Sequence, residues 1–227
     1  MNKIYIPSRG PEDWQQFLAE PEKQWKKGYS AKALAYCWEE ADGFPVCVKR
    51  IFDESGFPLF KGLELLFAFP EHQVPLPGGS RPSQTDLFVI ARYSDELVSI
   101  AVEGKVKEPF GPSVGEWISN SSAGKERRLA FLCEQLGLES DAIKSIRYQL
   151  LHRTVSAILK ARDLNASTAV MLVHSFCQDH TWFEDYQTFL KLFGKEGQLN
   201  SIDHVGQRQG VDLYFAWVTG EAKYLNA

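Results

Sequence analysis

The hydrophobic and polar positions in the middle of the chain follow the period of β-strands. A dense apolar run at 63–69 is followed by weak alternation as far as residue 76 and by a Pro-Gly-Gly turn signal. Two further segments, 85–93 and 97–106, are rich in β-branched and apolar residues and are joined by the short connection 94–96. This pattern predicts three strands, of which the last two are adjacent and antiparallel.

Segments on both sides of these strands follow the period of an amphipathic helix. On the N-terminal side, Ser30 is placed to cap a helix over 31–41, and a second short helix is predicted over 46–52. On the C-terminal side, the pattern predicts helices over 125–136, 141–161 and 182–193. The first of these C-terminal helices is expected to end at Gly137.

Two more strands complete the pattern, a very apolar one at 169–175 and a final one at 211–219. A strand, a long helix and a returning strand form a crossover, so we predict an α/β fold with a mixed central β-sheet flanked by helices. Residues 1–56 are expected to form an N-terminal arm and helices packed on an α/β core at 57–227. The length suits one compact domain overall.

The bulk composition is that of a globular protein without a cationic surface. Of the 227 residues, 44% are hydrophobic, and the formal net charge is -4. Contact with nucleic acid would therefore depend on a local basic patch or on a bound metal. Since no apolar run is long enough to span a membrane and the N-terminus shows no signal sequence, we expect a cytoplasmic protein with no membrane partner.

Several common sites are missing from the sequence. The cysteines Cys37, Cys47, Cys133 and Cys177 show neither CxxC spacing nor a histidine pair at zinc-ligand spacing, and we expect reduced, mostly buried thiols. The chain also lacks a P-loop, a GxGxxG after a strand, a GxSxG and an HExxH. These absences exclude the commonest nucleotide-binding and hydrolase sites.

Two charged residues project from the same side of an otherwise apolar strand. Because side chains alternate along a strand, Glu103 and Lys105 share one face, and burying them is costly unless they pair or bind a metal. Hairpin pairing about residue 95 would set Asp86 opposite residue 103 or 104. Two converging carboxylates suit Mg²⁺ or Mn²⁺, although a structural Glu103–Lys105 pair or an ordinary charged strand face is the alternative.

Asp86, sixteen intervening residues and then Glu103-Gly104-Lys105 resemble the motif of the PD-(D/E)xK, restriction-endonuclease-like superfamily. The resemblance implies a restriction-endonuclease-like core with an N-terminal helical extension. It also implies that the Asp and Glu bind a divalent metal and that the Lys assists attack of water on a phosphodiester. One departure is Thr85, where the family motif has proline.

The predicted 141–161 helix adds to this resemblance. Nuclease branches of the superfamily place a Gln-x-x-x-Tyr motif on the helix after the ExK strand, and here Gln149 matches whereas Arg153 replaces the tyrosine. On this helix Gln149, Arg153, Ser156 and Lys160 are spaced to form a polar stripe beside an apolar face. Arg153, Lys160 and their basic neighbours could contact a phosphate backbone, or they could form an ordinary solvated helix face.

Many members of the superfamily use a further glutamate before the first core strand. The candidates are Glu39, Glu40, Glu64 and Glu71, of which Glu71 is closest to the strand and is preferred as a third metal ligand. Among the histidines, His72 is interpreted as a polar strand residue, whereas His174 could be a core residue or line the cleft.

These features predict a metal-dependent phosphodiesterase, a Mg²⁺- or Mn²⁺-dependent nuclease acting on DNA or RNA in restriction, repair or defence. The predicted catalytic residues are Asp86, Glu103, Lys105 and Gln149, and the predicted metal ligands are Asp86, Glu103 and Glu71. The alternative is a non-catalytic module of the same fold that binds nucleic acid or protein. The acidic pI and the missing tyrosine favour that alternative, whereas the intact Asp–ExK set favours the enzyme.

Overall fold

A computed structural model of the chain describes residues 8–227. At its centre lies one six-stranded sheet with strand order β1-β2-β3-β4-β6-β5. The strands are β1 (Glu64–Val74), β2 (Ser83–Tyr93), β3 (Glu96–Lys105), β4 (Thr168–Ser175), β5 (Ser201–Arg208) and β6 (Val211–Thr219). Strands β3, β4 and β6 run parallel to one another, and the remaining pairs are antiparallel. The sheet is therefore mixed, as the sequence predicts.

Helices cover both faces of this sheet. They are α1 (Pro21–Gln24), α2 (Ser30–Glu40), α3 (Val46–Glu54), α4 (Val114–Ile118), α5 (Ala123–Leu136), α6 (Tyr148–Asp163) and α7 (Phe183–Lys191). Short 3₁₀ turns lie at Pro11–Phe17, Pro58–Phe60, Ser140–Ile143 and Ala222–Asn226. Helices α2 and α3 pack on one face, and α5, α6 and α7 pack on the other, so the sheet separates two hydrophobic cores.

The centre of the sheet is the most deeply buried part of the fold. All eight residues of β4 are buried, which explains why this strand is continuously apolar instead of alternating. On β3, Val98, Ile100 and Val102 enter the core beneath α2 and α3, whereas Ala101 enters the core beneath α6. The alternation predicted for this strand is thus observed, and Glu103 and Lys105 follow Ala101 on the α6 side.

Local sequence signals account for several helix boundaries. The Ser122 hydroxyl accepts a hydrogen bond from the Lys125 backbone N–H at the start of α5, and Gly137 ends this helix in the left-handed conformation with φ 65°. Ser30 does not act as the predicted cap. It is the first residue of α2, and its backbone N–H donates to Glu108 at 2.7 Å.

Two predicted elements differ in the structure. The helix predicted over 141–161 is a 3₁₀ turn at Ser140–Ile143, followed by a turn and a bend over 144–146, a bridge residue at Arg147 and then α6. Residues 144–148 exchange backbone hydrogen bonds with the 112–115 loop, including Val114 N–H to Ile146 O at 2.8 Å, and these bonds replace the helical ones. The edge strand β5 was not predicted, because its sequence is largely polar and lacks a strand-like apolar pattern.

The polar stripe predicted on the long helix is not a continuous solvent-exposed face in the structure. Arg153 and Ser156 are buried, with the Ser156 hydroxyl donating to the His152 carbonyl at 2.7 Å. They cannot form a solvated face, because the sheet and the loop before β2 cover this side of α6.

Among residues 8–227, no helix is both long and apolar enough to cross a membrane. The first residues of the predicted N-terminal arm, 1–7, lie outside the described chain.

Candidate active site

Three acidic residues lie side by side on three neighbouring strands. Glu71 on β1 faces Asp86 on β2 between the ladder pairs Pro70–Leu87 and His72–Thr85. Asp86 in turn lies opposite Glu103 on β3, one residue beyond the Leu87–Val102 pair. Antiparallel register therefore places the three carboxylates in a row, which we call the carboxylate row.

Glu71 has an unusual backbone conformation within its strand. Its φ is 52°, in the left-handed region that residues with a side chain rarely occupy. Gln84 Nε2 donates to Glu71 Oε2 at 2.8 Å, which helps to hold the carboxylate above the neighbouring strand. A strained residue of this kind persists only where surrounding contacts fix it, and such residues cluster at functional sites.

Glu103 is the most heavily bonded member of the carboxylate row. Its side chain is 1% exposed, and Oε1 accepts hydrogen bonds from Lys105 Nζ at 2.7 Å and from Gln149 Nε2 at 2.6 Å. Oε2 accepts a bond from Arg153 Nε at 2.6 Å. These bonds compensate the cost of burying the charge, so Glu103 is held as a carboxylate in one fixed orientation.

Arg153 connects two members of the carboxylate row. Besides its bond to Glu103, its Nη2 lies 3.7 Å from Asp86 Oδ1. Its Nη1 donates to Ser83 Oγ at 3.2 Å, and that hydroxyl lies 2.8 Å from Nδ1 of His152. The guanidinium, predicted as an exposed phosphate contact, is therefore a buried counter-ion that crosses from α6 to the sheet.

The Asp86 carboxylate is more exposed than that of Glu103. Its Oδ2 accepts the backbone N–H of Gly104 at 2.8 Å, and a fifth of its side chain remains exposed. A β-carbon at Gly104 would lie 3.5 Å from this oxygen and 3.4 Å from Leu34 of α2. The space around Gly104 is thus closely filled, and the free side of Asp86 faces the cleft.

The carboxylate row opens into a cleft of about 460 Å³ between the sheet, α6 and the N-terminal segment. All of Glu71, Asp86, Glu103, Lys105, Gln149 and Arg153 line it. The opposite wall comes from the N-terminal segment and the start of α2, including Leu18, Lys23, Gln24, Tyr29 and Ser30. This volume is in the range of small-molecule sites, and its lining mixes both charge signs.

Burial and mutual repulsion shift the pKa values of the acids in opposite directions. Burial, together with the Glu103 charge, raises the pKa of Asp86 to about 7. Burial and the Asp86 charge raise the pKa of Glu71 well above its usual value. Burial alone would raise that of Glu103 as well, but the Lys105 and Arg153 cations overcome it and lower the pKa. Asp86 and Glu71 therefore hold their protons more tightly than free carboxylic acids, and full ionisation of all three acids would require a further positive charge beside them.

The donor set fits a divalent cation. In the described part of the chain, only two cations, Lys105 and Arg153, are paired with the three acids of the carboxylate row, so a further positive charge beside the ionised row would be stabilised. A carboxylate offers about four acceptor positions, and Glu103 uses three of them, leaving room for one more partner. Hard oxygen donors of this kind suit Mg²⁺ or Mn²⁺. Glu71, Asp86 and Glu103 are the residues that could hold such an ion.

Other sequence candidates lie elsewhere. Lys160 forms an exposed ion pair with Asp163 at 2.8 Å, outside the cleft. His72 stacks on Phe88 with ring centroids 5.0 Å apart, and His174 is buried on the opposite face of the sheet, against Trp38. Among the other glutamates, Glu39 accepts bonds from Ser8 and Trp14, and Glu40 and Glu64 form exposed pairs with Lys223 and Arg92.

Sequence reasoning missed the residues that support the cleft. Ser83 and Gln84 precede Asp86 on β2 and bond to Arg153 and Glu71, and Lys23 and Gln24 contribute to the far wall. The polar run Ser83-Gln84 before an apolar strand was the available signal for the first pair. No comparable pattern marks Lys23 and Gln24, because the fold of the N-terminal segment brings them to the cleft.

Comparison with known proteins identifies the family but not an activity. A family profile described as a domain of unknown function (DUF6946) matches residues 7–222. No curated protein and no solved structure matches the chain. The matched region includes the N-terminal segment, the whole sheet and every residue of the carboxylate row. The chain belongs to the DUF6946 family.

Proposed function

We propose that this protein is a metal-dependent phosphodiesterase that acts on nucleic acid. The main support is the carboxylate row, which meets Lys105 in one open cleft. Acidic side chains on adjacent strands beside a lysine provide both a cation site and a polar group for a phosphate oxygen. The row also matches the positions at which the PD-(D/E)xK resemblance implies metal ligands.

Glu71, Asp86 and Glu103 would hold a Mg²⁺ or Mn²⁺ ion. When bound, such an ion polarises a phosphodiester oxygen and lowers the pKa of a water molecule. Asp86 is more open to the cleft than Glu103, and Glu103 is the ligand whose position is fixed by three hydrogen bonds. A rigidly held ligand such as Glu103 beside a more exposed one such as Asp86 would give a well-ordered metal site that substrate can still reach.

The remaining groups position the acids and face the substrate. Lys105 donates to Glu103 and lies 5.0 Å from the centroid of the Phe110 ring, so its ammonium is fixed in the wall of the cleft. Gln149 donates to the same carboxylate oxygen and fixes its orientation. Together these groups hold Glu103 and provide N–H donors in the region where a phosphate would bind.

One observation favours a second candidate, a non-catalytic module that binds nucleic acid or protein. The Arg153 guanidinium already bonds Glu103 and lies beside Asp86, so part of the charge is balanced without a metal. Such an arginine could stabilise the fold in place of an ion. The two candidates differ in metal dependence, because only the enzyme requires the carboxylate row to bind a cation.

Hydrolysis assays separate these candidates. The full chain is incubated with single- and double-stranded DNA and RNA, with Mn²⁺ or Mg²⁺ and with EDTA, beside Glu103→Gln and the control Glu96→Gln. Glu96 lies on the same strand but is exposed. The proposal expects cleavage that EDTA abolishes and that Glu103→Gln alone loses. Cleavage that survives EDTA, or that Glu103→Gln retains, contradicts it, and binding without cleavage supports the module.

A further inference from the structure

A second cluster of reactive side chains lies on the opposite face of the sheet from the carboxylate row. The sulfur atoms of Cys37 on α2 and Cys47 on α3 and a ring nitrogen of His174 on β4 lie within 4.8 Å of one another. All three residues are buried. Sequence spacing gives no hint of this cluster, since the histidine is more than a hundred residues away from both cysteines.

Hydrogen bonding defines where the proton of His174 lies. Trp38 Nε1 donates to His174 Nδ1 at 3.1 Å, and because an indole N–H can only donate, Nδ1 must be unprotonated in this contact. The ring proton of the neutral imidazole is therefore on Nε2, which lies 3.4 Å from Cys47 Sγ. The histidine thus donates to the sulfur, as expected beside a thiolate.

This arrangement disfavours a metal between the three side chains. A histidine that binds a metal through Nε2 normally carries its proton on Nδ1 and donates it to an acceptor. Here Trp38 presents a donor to Nδ1, so metal binding would leave that indole N–H without its acceptor. The tryptophan therefore favours a thiolate–histidine pair over a metal centre.

The two cysteines differ in their protonation. The neighbouring Cys37 thiol and the contact with His174 lower the pKa of Cys47 to about 4, despite burial. The pKa of Cys37 is raised by the adjacent Cys47 sulfur, by burial and by the nearby Glu221, and the Tyr224 hydroxyl opposes this shift. Cys47 also lies in the first turn of α3, where backbone N–H groups favour an anion.

Cys47 borders a cavity that Cys37 does not line. The cavity has a volume of about 300 Å³, and Arg50, Gln178, Asn200 and Glu221 are among its other lining residues. A small reactant in this cavity would meet Cys47 first. Cys37 is close enough to react afterwards, because its sulfur lies within 4.8 Å of Cys47 Sγ.

We propose that Cys47 is a thiolate that reacts with small hydroperoxides such as hydrogen peroxide, and that Cys37 is its resolving thiol. The Cys47 sulfur attacks one peroxide oxygen, an S–O bond forms, the O–O bond breaks, and hydroxide leaves. The Cys37 sulfur then attacks the sulfenic acid, an S–S bond forms, and the S–O bond breaks. The hydroxyl leaves as water with the Cys37 proton, so the two sulfurs lose two electrons and the peroxide gains them.

Peroxide treatment of the full chain, followed by alkylation and peptide mass spectrometry, tests this pair. Wild type should form a Cys37–Cys47 disulfide. Cys37→Ser should accumulate a sulfenic acid at Cys47 that dimedone traps, and Cys47→Ser should leave Cys37 reduced. Cys133→Ser is the control, because burial raises the pKa of Cys133 and it should not react.

A second measurement compares two cysteines within the wild-type protein, so its main result does not depend on whether variants fold. At pH 6, iodoacetamide should alkylate Cys47 severalfold faster than Cys133, and Trp38→Phe should reduce this difference while circular dichroism remains native. Equal alkylation of Cys47 and Cys133 would overturn the proposal. So would one tightly held zinc ion per purified chain that Cys47→Ser loses.

Discussion

Arg153 Nε donates to Glu103 Oε2 at 2.6 Å, and this bond joins the long helix α6 to the end of β3 inside the protein. Both side chains are almost fully buried, at 8% and 1% exposure. Removing one partner of a buried ion pair leaves the other charge uncompensated. Without Arg153, the carboxylate row would need another positive charge, such as a bound cation, to remain stable in the folded protein.

Arg153→Met should destabilise the metal-free protein by about 3–5 kcal/mol, because Glu103 and Asp86 lose their shared cation. Urea denaturation measures the change. Arg92→Met is the matched control, since Arg92 pairs with Glu64 at the surface and its loss should cost at most about 1 kcal/mol.

The same variant distinguishes a cation site from a purely structural pair. If the carboxylate row binds divalent ions, Mn²⁺ should restore much of the lost stability in Arg153→Met, since a ligand that binds only the folded state stabilises it. Mn²⁺ should stabilise Arg92→Met no more than wild type. If Mn²⁺ does not change the urea concentration at the midpoint of unfolding of Arg153→Met, the carboxylate row binds no cation.

The raised pKa of Asp86, about 7, predicts a definite pH dependence of stability. The folded state holds the Asp86 proton more tightly than the unfolded state, so this group lowers the free energy of unfolding as pH rises from about 4 to about 7, by up to about 4 kcal/mol. Glu71 acts in the same direction. Denaturation across this range should give a clearly flatter profile for Asp86→Asn, and an unchanged profile would refute the assignment.

The left-handed backbone of Glu71 predicts a conflict between stability and function. Glu71→Gly should stabilise the protein by about 1 kcal/mol, because glycine adopts φ 52° without strain and a repelled carboxylate is removed. The same change should weaken Mn²⁺ binding. Two variants serve as controls. Glu71→Gln removes the charge but keeps the backbone strain. Ser94 also has a φ of 52° but lies in the β2–β3 turn, so Ser94→Gly relieves backbone strain away from the cleft. A Glu71→Gly protein with wild-type Mn²⁺ affinity would exclude Glu71 as a ligand.

The sheet and the charged pair on β3 were predictable because strand alternation is a local property. The apolar face of β3 fixed the side on which Glu103 and Lys105 lie. The hairpin pairing predicted Asp86 opposite residue 103 or 104, and the observed register places it opposite Glu103. The restriction-endonuclease-like detail of the fold stays a prediction. The edge strand β5 was not predicted from the sequence, because edge strands are partly solvated and its residues resemble those of a loop.

The partners of the carboxylates depend on tertiary packing and were less accessible to sequence reasoning. Arg153 sits in a helical pattern that is equally compatible with an exposed basic stripe, and only the position of α6 over β3 turns it inwards. The same holds for the Cys37, Cys47 and His174 cluster, which three separate elements bring together. Helical periodicity specifies a face, but the neighbour of that face is determined by the whole fold.

The most direct test of the proposed metal site is Mn²⁺ binding by isothermal titration calorimetry at pH 8, above the pKa of about 7 of Asp86. It needs no knowledge of the substrate. We predict saturable binding by wild type and by Glu96→Gln, and strongly weakened binding by Glu103→Gln, with Asp86→Asn reduced as well. Equal heats for wild type and Glu103→Gln, or no binding by wild type, would contradict a cation site at the carboxylate row.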